Sequence, residues 1–118
     1  MKKKILIAED NEGLRLLLAE ELEEEGYDVI TARNGEEVLL RSKAEKPDLI
    51  ITDIVMPKMD GIRAIALVLE DSKPRIIIHS AFAEYKENFM SWGADAYIVK
   101  SGDLRELKEK VRELLERD

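Results

Sequence analysis

The side chains best suited to chemistry sit just past short apolar runs. Glu9 and Asp10 follow the run at 5–8, Asp53 follows 49–52, Ser80 follows 75–79 and Lys100 follows 96–99. Three carboxylates drawn into one crevice repel one another. A hard divalent cation relieves that repulsion. Mg²⁺ takes oxygen ligands, keeps several waters and is commonly held by one or two carboxylates together with a phosphate. Lys100 would add a fixed positive charge and Ser80 a hydroxyl donor. A carboxylate so surrounded is equipped to accept a phosphoryl group, with Asp53 as the attacking group and its neighbours offsetting charge on the equatorial oxygens. Each residue alone has a plainer use. Asp10 fits a helix cap, Ser80 a turn, Lys100 a solvated surface and Met56-Pro57 an ordinary turn. A capping role does not, however, predict acids and a lysine together at the ends of the first, third and fifth strands.

These residues share a crevice only if the chain folds so that those strand ends meet. Apolar runs alternate with helix-period segments throughout. Strands are predicted at 5–8, 29–32, 49–52, 75–79 and 96–99, and helices at 12–25, 35–44, 61–69, 84–92 and 104–116. Asn11 is placed to cap the first helix and Gly26 to end it in a left-handed conformation. Leu14, Leu17, Leu18 and Leu22 fall on one face of that helix. Asn34 caps the second helix, with Glu37 placed as in a capping box. Pro47 breaks the chain before the third strand, and Gly93 closes the fourth helix. Asp103 caps the last helix, whose stripe is Leu104, Leu107, Val111, Leu114 and Leu115. Strands without internal alternation are those buried on both faces. The expected fold is therefore α/β, a doubly wound five-stranded parallel sheet covered by five helices. In such sheets the functional crevice lies beyond the carboxyl ends of the strands, where Glu9, Asp10, Asp53, Ser80 and Lys100 fall.

Composition narrows the setting. The chain has 118 residues, suited to one domain over 1–118. It has no cysteine, so neither disulfides nor thiolate chemistry are available, as suits a reducing cytoplasm. Twenty-six acids against nineteen bases give a net charge of −7, with no basic stripe, which argues against direct contact with nucleic acid. Lys2, Lys3 and Lys4 precede an apolar run too short for a signal peptide or a membrane span.

Taken together, the chain resembles the response-regulator receiver domains of bacterial two-component signalling along its whole length. The resemblance rests on Glu9-Asp10, the segment Thr52-Asp53-Ile54-Val55-Met56-Pro57-Lys58-Met59-Asp60-Gly61, Ser80, Gly93-Ala94-Asp95-Ala96-Tyr97, and Lys100. It implies a flavodoxin-like strand order, 2-1-3-4-5. It also implies a signalling module that catalyses its own phosphorylation and dephosphorylation rather than an enzyme acting on other molecules. Asp53 matches the phosphoacceptor, carried as a 4-aspartylphosphate. Asp10 matches the direct Mg²⁺ ligand, Glu9 its water-mediated neighbour, and Val55 a carbonyl ligand; Mn²⁺ is the implied substitute. Ser80 matches the switch hydroxyl, Lys100 the phosphate-binding lysine and Tyr97 the aromatic whose rotamer reports activation. Gly61 fits the tight turn before the third helix. Val55 and Phe82, both apolar, flank the site where they would hinder an attacking water and prolong the phosphorylated state.

A finer likeness, carried by residues 12–18 and the ending at the last helix, is to single-domain sporulation-phosphorelay intermediates. It implies phosphate taken from a sensor histidine kinase and passed to a histidine phosphotransferase, in a monomer or weak dimer. Leu14, Arg15, Ser101 and Gly102 would meet the partner, although Leu14 also fits a core position. The chain stops soon after the last helix, so an output would act through protein contacts. Two residues depart from the family pattern. Glu9 replaces the commoner aspartate. Lys100-Ser101-Gly102 replaces Lys-Pro, so a trans bond after Lys100 is expected, with Gly102 absorbing the altered path.

The same residues bear on two other readings. A receiver-like binding module without phosphotransfer would not need the full set of Asp10, Asp53, Ser80 and Lys100. A flavin protein of the same strand order would want a phosphate cradle after the first strand, where Glu9-Asp10 repels phosphate. His79, the only histidine, is expected as a packed or partly exposed strand residue, its side chain alternating away from that of Ser80. Phe89, Met90 and Trp92 are expected in the core, or else in an exposed pairing face. The acids between Glu20 and Glu25 read as a solvated helix face.

Overall fold

The computed structural model describes residues 2–116; Met1 and residues 117–118 of the expected domain lie outside the described residues. Five strands run in the order β1 Lys4–Ala8, β2 Asp28–Ala32, β3 Leu49–Thr52, β4 Arg75–Ser80 and β5 Ala96–Val99. They form one parallel sheet in the order β2-β1-β3-β4-β5, as expected. The helices are α1 Glu12–Glu24, α2 Gly35–Glu45, α3 Gly61–Asp71, a 3₁₀ helix (η1) Ala83–Trp92, and α4 Arg105–Glu116.

Strand alternation sends side chains into two cores. Leu6, Ile50, Ile76 and Ile78 meet α2 and α3 through Val38, Ala64, Ile65 and Val68. Ile5, Ile7, Leu49, Ile51, Ile77 and Ile98 meet α1 and α4 through Leu18, Leu22, Leu107 and Val111. Removing one such branched side chain from water is worth about 1.5–3 kcal/mol, so a β-branched run with no polar face can only be a strand covered on both sides.

Local signals hold where they are local. Asn11 Oδ1 accepts the Leu14 N–H at 2.9 Å, and Asn34 Oδ1 accepts the Glu37 N–H at 2.9 Å. Glu37 reaches back one residue beyond the cap, to the Arg33 N–H and guanidinium. Gly26 takes φ +99° after α1.

Four expectations change. On α1 the buried stripe is Leu18 and Leu22 with Leu14 half-buried against them. Leu17 is 45% exposed, because it falls about 100° round the helix from Leu18. The fourth helix is 3₁₀ and buries no residue completely. Its anchors to the sheet, Phe89 and Trp92, are partly buried and three apart, a spacing that a three-residue turn aligns. Met90 is 76% exposed rather than core. The acid-rich end of α1 is not merely solvated, since Glu21 pairs with Lys108 and Glu25 with Arg112, joining α1 to α4 at matched four-residue spacings.

Candidate functional site

The parallel register carries each candidate residue to one end of the sheet. The ladder continues one step past the strands, with Asp53 N–H donating to Ala8 O at 3.2 Å and Lys100 N–H to Ser80 O at 2.7 Å. Glu9, Asp53 and Lys100 continue the alternation of Ile7, Ile51 and Ile98, so all three belong to the α1–α4 side of the sheet.

Lys100 reaches from β5 across β4 to the centre of the crevice. Its Nζ lies 2.6 Å from Asp53 Oδ2 and 2.8 Å from Glu9 Oε1. Asp53 and Glu9 are buried, at 7% and 2% exposure. Burial pulls the Lys100 pKa down, but hydrogen bonds to, and the charges of, Asp53 and Glu9 outweigh it and the net shift is upward. The other oxygens of these acids take backbone donors: Asp53 Oδ1 from Ile54 N–H at 2.7 Å, and Glu9 Oε2 from Asn11 N–H at 3.0 Å. One oxygen each from Glu9, Asp10 and Asp53 lies within 4.8 Å of the others, with Asp10 exposed at the mouth. That donor set, all oxygen and open on one side, fits a hard divalent cation.

The loop after β3 is built by close backbone approach. A Cβ on Gly61 would stand 1.9 Å from the Asp53 carbonyl oxygen, and Gly61 N–H donates to Ile54 O at 2.8 Å. The glycine is needed for space, since its φ is not positive. Lys58 adopts φ +69° while Met59 N–H donates to Pro57 O at 2.8 Å, a three-residue turn of the rarer, strained hand. These bonds leave the Val55 carbonyl out, and the Val55 side chain is 58% exposed.

The loop after β5 is held differently. No described peptide bond is cis, so the bond after Lys100 is trans as expected. Gly102, however, uses no positive φ and nothing lies within 4 Å of where its Cβ would be. The altered path is set instead by side chains. Ser101 Oγ accepts the Asp103 N–H at 3.1 Å, and Asp103 Oδ1 accepts the Arg105 N–H at 2.9 Å. Hydrogen bonding from Arg105 holds the Asp103 carboxyl down at about 2.

Ser80 is fully buried, and its Oγ accepts the Phe82 N–H at 3.1 Å. Tyr97 is buried with its hydroxyl donating to the Phe82 carbonyl, the inward arrangement. Phe82 itself is 42% exposed. Leu14 and Arg15 follow Asn11 on the first turns of α1. Arg15 is not a free surface group: its guanidinium donates to the Glu9 carbonyl at 2.9 Å and so braces the acidic loop. That bracing was illegible in the sequence, because it depends on α1 folding back over β1. The exposed leucines of α1 are Leu16 and Leu17. Leu17 lines a groove of about 560 Å³ with Glu21, Gly102, Leu104, Arg105 and Lys108.

Comparison with known proteins agrees with this arrangement. A family model described as the response regulator receiver domain matches residues 5–112. The chain is 38% identical to the alkaline phosphatase synthesis transcriptional regulatory protein PhoP of Bacillus subtilis over 99% of its own length and 50% of that protein. It thus spans about half the length of PhoP. It is 35% identical to sporulation initiation phosphotransferase F of the same organism, over 98% of this chain and 95% of that one. Among solved structures it is similar to the response regulator TrrA of Thermotoga maritima in complex with Mg²⁺ and BeF, with TM-score 0.89, 43% identity, and coverage of 96% of this chain and 99% of that one. It is also similar to TrrA in complex with the histidine kinase ThkA, with TM-score 0.87, 44% identity, and coverage of 96% and 98%. No helix among the described residues is long and apolar enough to cross a membrane.

Proposed function

The chain belongs to the response regulator receiver domain family, and on that premise we propose that it accepts a phosphoryl group from a kinase phosphohistidine onto Asp53. One observation carries this reading: a buried carboxylate held 2.6 Å from a lysine ammonium, within a cluster of three acids whose oxygens lie within 4.8 Å. A carboxylate oxygen of Asp53 attacks phosphorus. The new O–P bond forms as the P–N bond of the donor breaks, and that bond's electron pair stays on the donor's imidazole nitrogen. Lys100 leaves Glu9 to hold a phosphoryl oxygen, and the Ser80 hydroxyl turns to hold another.

Glu9, Asp10, Asp53 and the Val55 carbonyl would hold Mg²⁺, with Mn²⁺ as a substitute; a bound cation would supply positive charge that offsets the negative charge on the phosphoryl oxygens. The whole chain, 1–118, acts as one receiver domain. It is a phosphoacceptor signalling module, not an enzyme working on a separate substrate.

The kinase docks on the first turns of α1 and the loop after β5, through Leu14, Arg15, Ser101 and Gly102. The adjoining groove and exposed Leu17 support that placement, and the ThkA complex of TrrA supports a histidine kinase as the partner. Leu14 serves as both core and interface, being half-buried. Tyr97 reports the switch through its inward or outward rotamer. Likeness to the sporulation phosphotransferase supports onward relay to a histidine phosphotransferase, in a cytoplasmic monomer or weak dimer without direct nucleic-acid contact. Val55 and Phe82, exposed at the mouth, slow the attack of water and lengthen the phosphorylated state.

Incubation with acetyl phosphate and Mg²⁺, followed by intact-mass measurement, tests the core of this reading. One added phosphoryl group is expected on the wild-type chain and none on Asp53→Asn. An unmodified wild-type chain, or equal modification of both, refutes it.

A further inference from the structure

His79 is the only histidine in the chain, and nothing in the phosphotransfer step above uses it. It is 3% exposed, and its Nδ1 is the one buried side-chain polar atom among the described residues with no hydrogen-bond partner. An unpaired buried nitrogen is destabilising, whereas an apolar side chain of similar size would not be. The neighbouring positions on its face, Ile77 and Ile98, are isoleucines in the α1–α4 core. Packing alone therefore does not call for an imidazole here.

Its place in the sheet suggests what does. β4 lies between β3 and β5, with Ile51 beside Ile77 and His79 beside Ile98. One step further along the same face come Asp53 on β3 and Lys100 on β5. The Lys100 side chain must therefore pass over β4, above His79, to reach Asp53 and Glu9 on the far side. The imidazole is neutral, its pKa pushed down to about 4 by burial and then by the Lys100 charge, with Asp53 opposing. A neutral imidazole offers one acceptor nitrogen, and an ammonium has three protons to place.

We propose that His79 is a positioning residue for Lys100: its Nδ1 accepts a hydrogen bond from the Lys100 ammonium once Lys100 gives up Glu9 for the phosphoryl group on Asp53. Nζ already contacts Asp53 on β3, the strand beside β4, so giving up Glu9 on β1 frees an ammonium proton for Nδ1, and the orphaned nitrogen finds its partner in the phosphorylated state. An interaction present in one of two states shifts the balance between them by its full worth. Here the bond favours the state in which Lys100 holds phosphate. The inference rests on Asp53 being the acceptor.

The test uses the full chain with ¹⁵N-labelled histidine, whose single imidazole needs no assignment. Mg²⁺ with beryllofluoride is added as the phosphoryl mimic, and acetyl phosphate with Mg²⁺ in a parallel sample followed by mass. The Nδ1 resonance should move from its free acceptor position to a hydrogen-bonded one on adding the mimic, with Nε2 remaining protonated. His79→Leu should lower the phosphorylated fraction at limiting acetyl phosphate by about tenfold, the worth of one hydrogen bond made in a single state. His79→Gln, which keeps an acceptor oxygen, should recover part of that loss. A wild-type chain that gains phosphoryl mass while Nδ1 stays put overturns this inference alone, as does His79→Leu phosphorylated to the wild-type extent. A wild-type chain that gains no mass overturns the parent reading, and this one with it.

Discussion

The loops after β3 and β5 both deliver a charged residue to the same ion pair, yet they are built on opposite terms. Residues 53–61 are locked by backbone against backbone, with a Cβ at Gly61 falling only 1.9 Å from the Asp53 carbonyl oxygen and a left-handed Lys58 in the turn. Residues 100–105 are shaped by short side chains bonding to nearby N–H groups, with open space around Gly102. Rigidity thus sits under the carboxylate proposed to accept the phosphoryl group. The lysine opposite needs less from its loop, because its long side chain is positioned at the far end by Asp53 and Glu9. A reacting group needs tightly held geometry, whereas a surface that meets a partner tolerates variation.

Substitution separates the two arms most sharply at their glycines. Gly61→Ala should cost about 3 kcal/mol, since backbone rather than a flexible side chain must yield. It should also lower the urea midpoint and displace Asp53 enough to cut phosphoryl uptake. A variant with near wild-type stability would mean that this arm is as forgiving as the other.

Acid probes the buried floor of the site. The folded-state pKa of His79, about 4, lies below its ordinary value of 6.5. The unfolded chain therefore takes up the proton first as pH falls. The corresponding stability is complete above 6.5 and is lost on descent towards 4, on the order of 3 kcal/mol. Urea unfolding across that range should show the loss in the wild-type chain, and His79→Leu should remove this share of it. Identical profiles would break the assignment. The exposed Asp103–Arg105 pair of the other arm should respond chiefly to added salt.

The smallest effect belongs to Gly102→Ala. With open space and no positive φ, stability should stay within about 0.5 kcal/mol of wild type. Transfer from a kinase should nevertheless slow if the groove beside Leu17 receives it, while labelling by acetyl phosphate stays unchanged. Equal rates from both donors would move the docking surface elsewhere.

Much of this molecule was written in order along the chain. The strands, the asparagine caps at Asn11 and Asn34, and the strand-end positions of Glu9, Asp10, Asp53, Ser80 and Lys100 follow from local pattern: burial on both faces forces continuous apolar runs, and parallel crossovers put all strand ends at one edge. What depended on distant segments meeting was not legible. The 3₁₀ form of η1, the bracing of the Glu9 carbonyl by Arg15 and the pairing of Glu21 and Glu25 with α4 all arise where elements pack. The same holds for His79. Alternation told which way it points, but only the assembled sheet puts an unpaired imidazole beneath the path of Lys100, because that path crosses a strand whose place in the sheet no local pattern encodes.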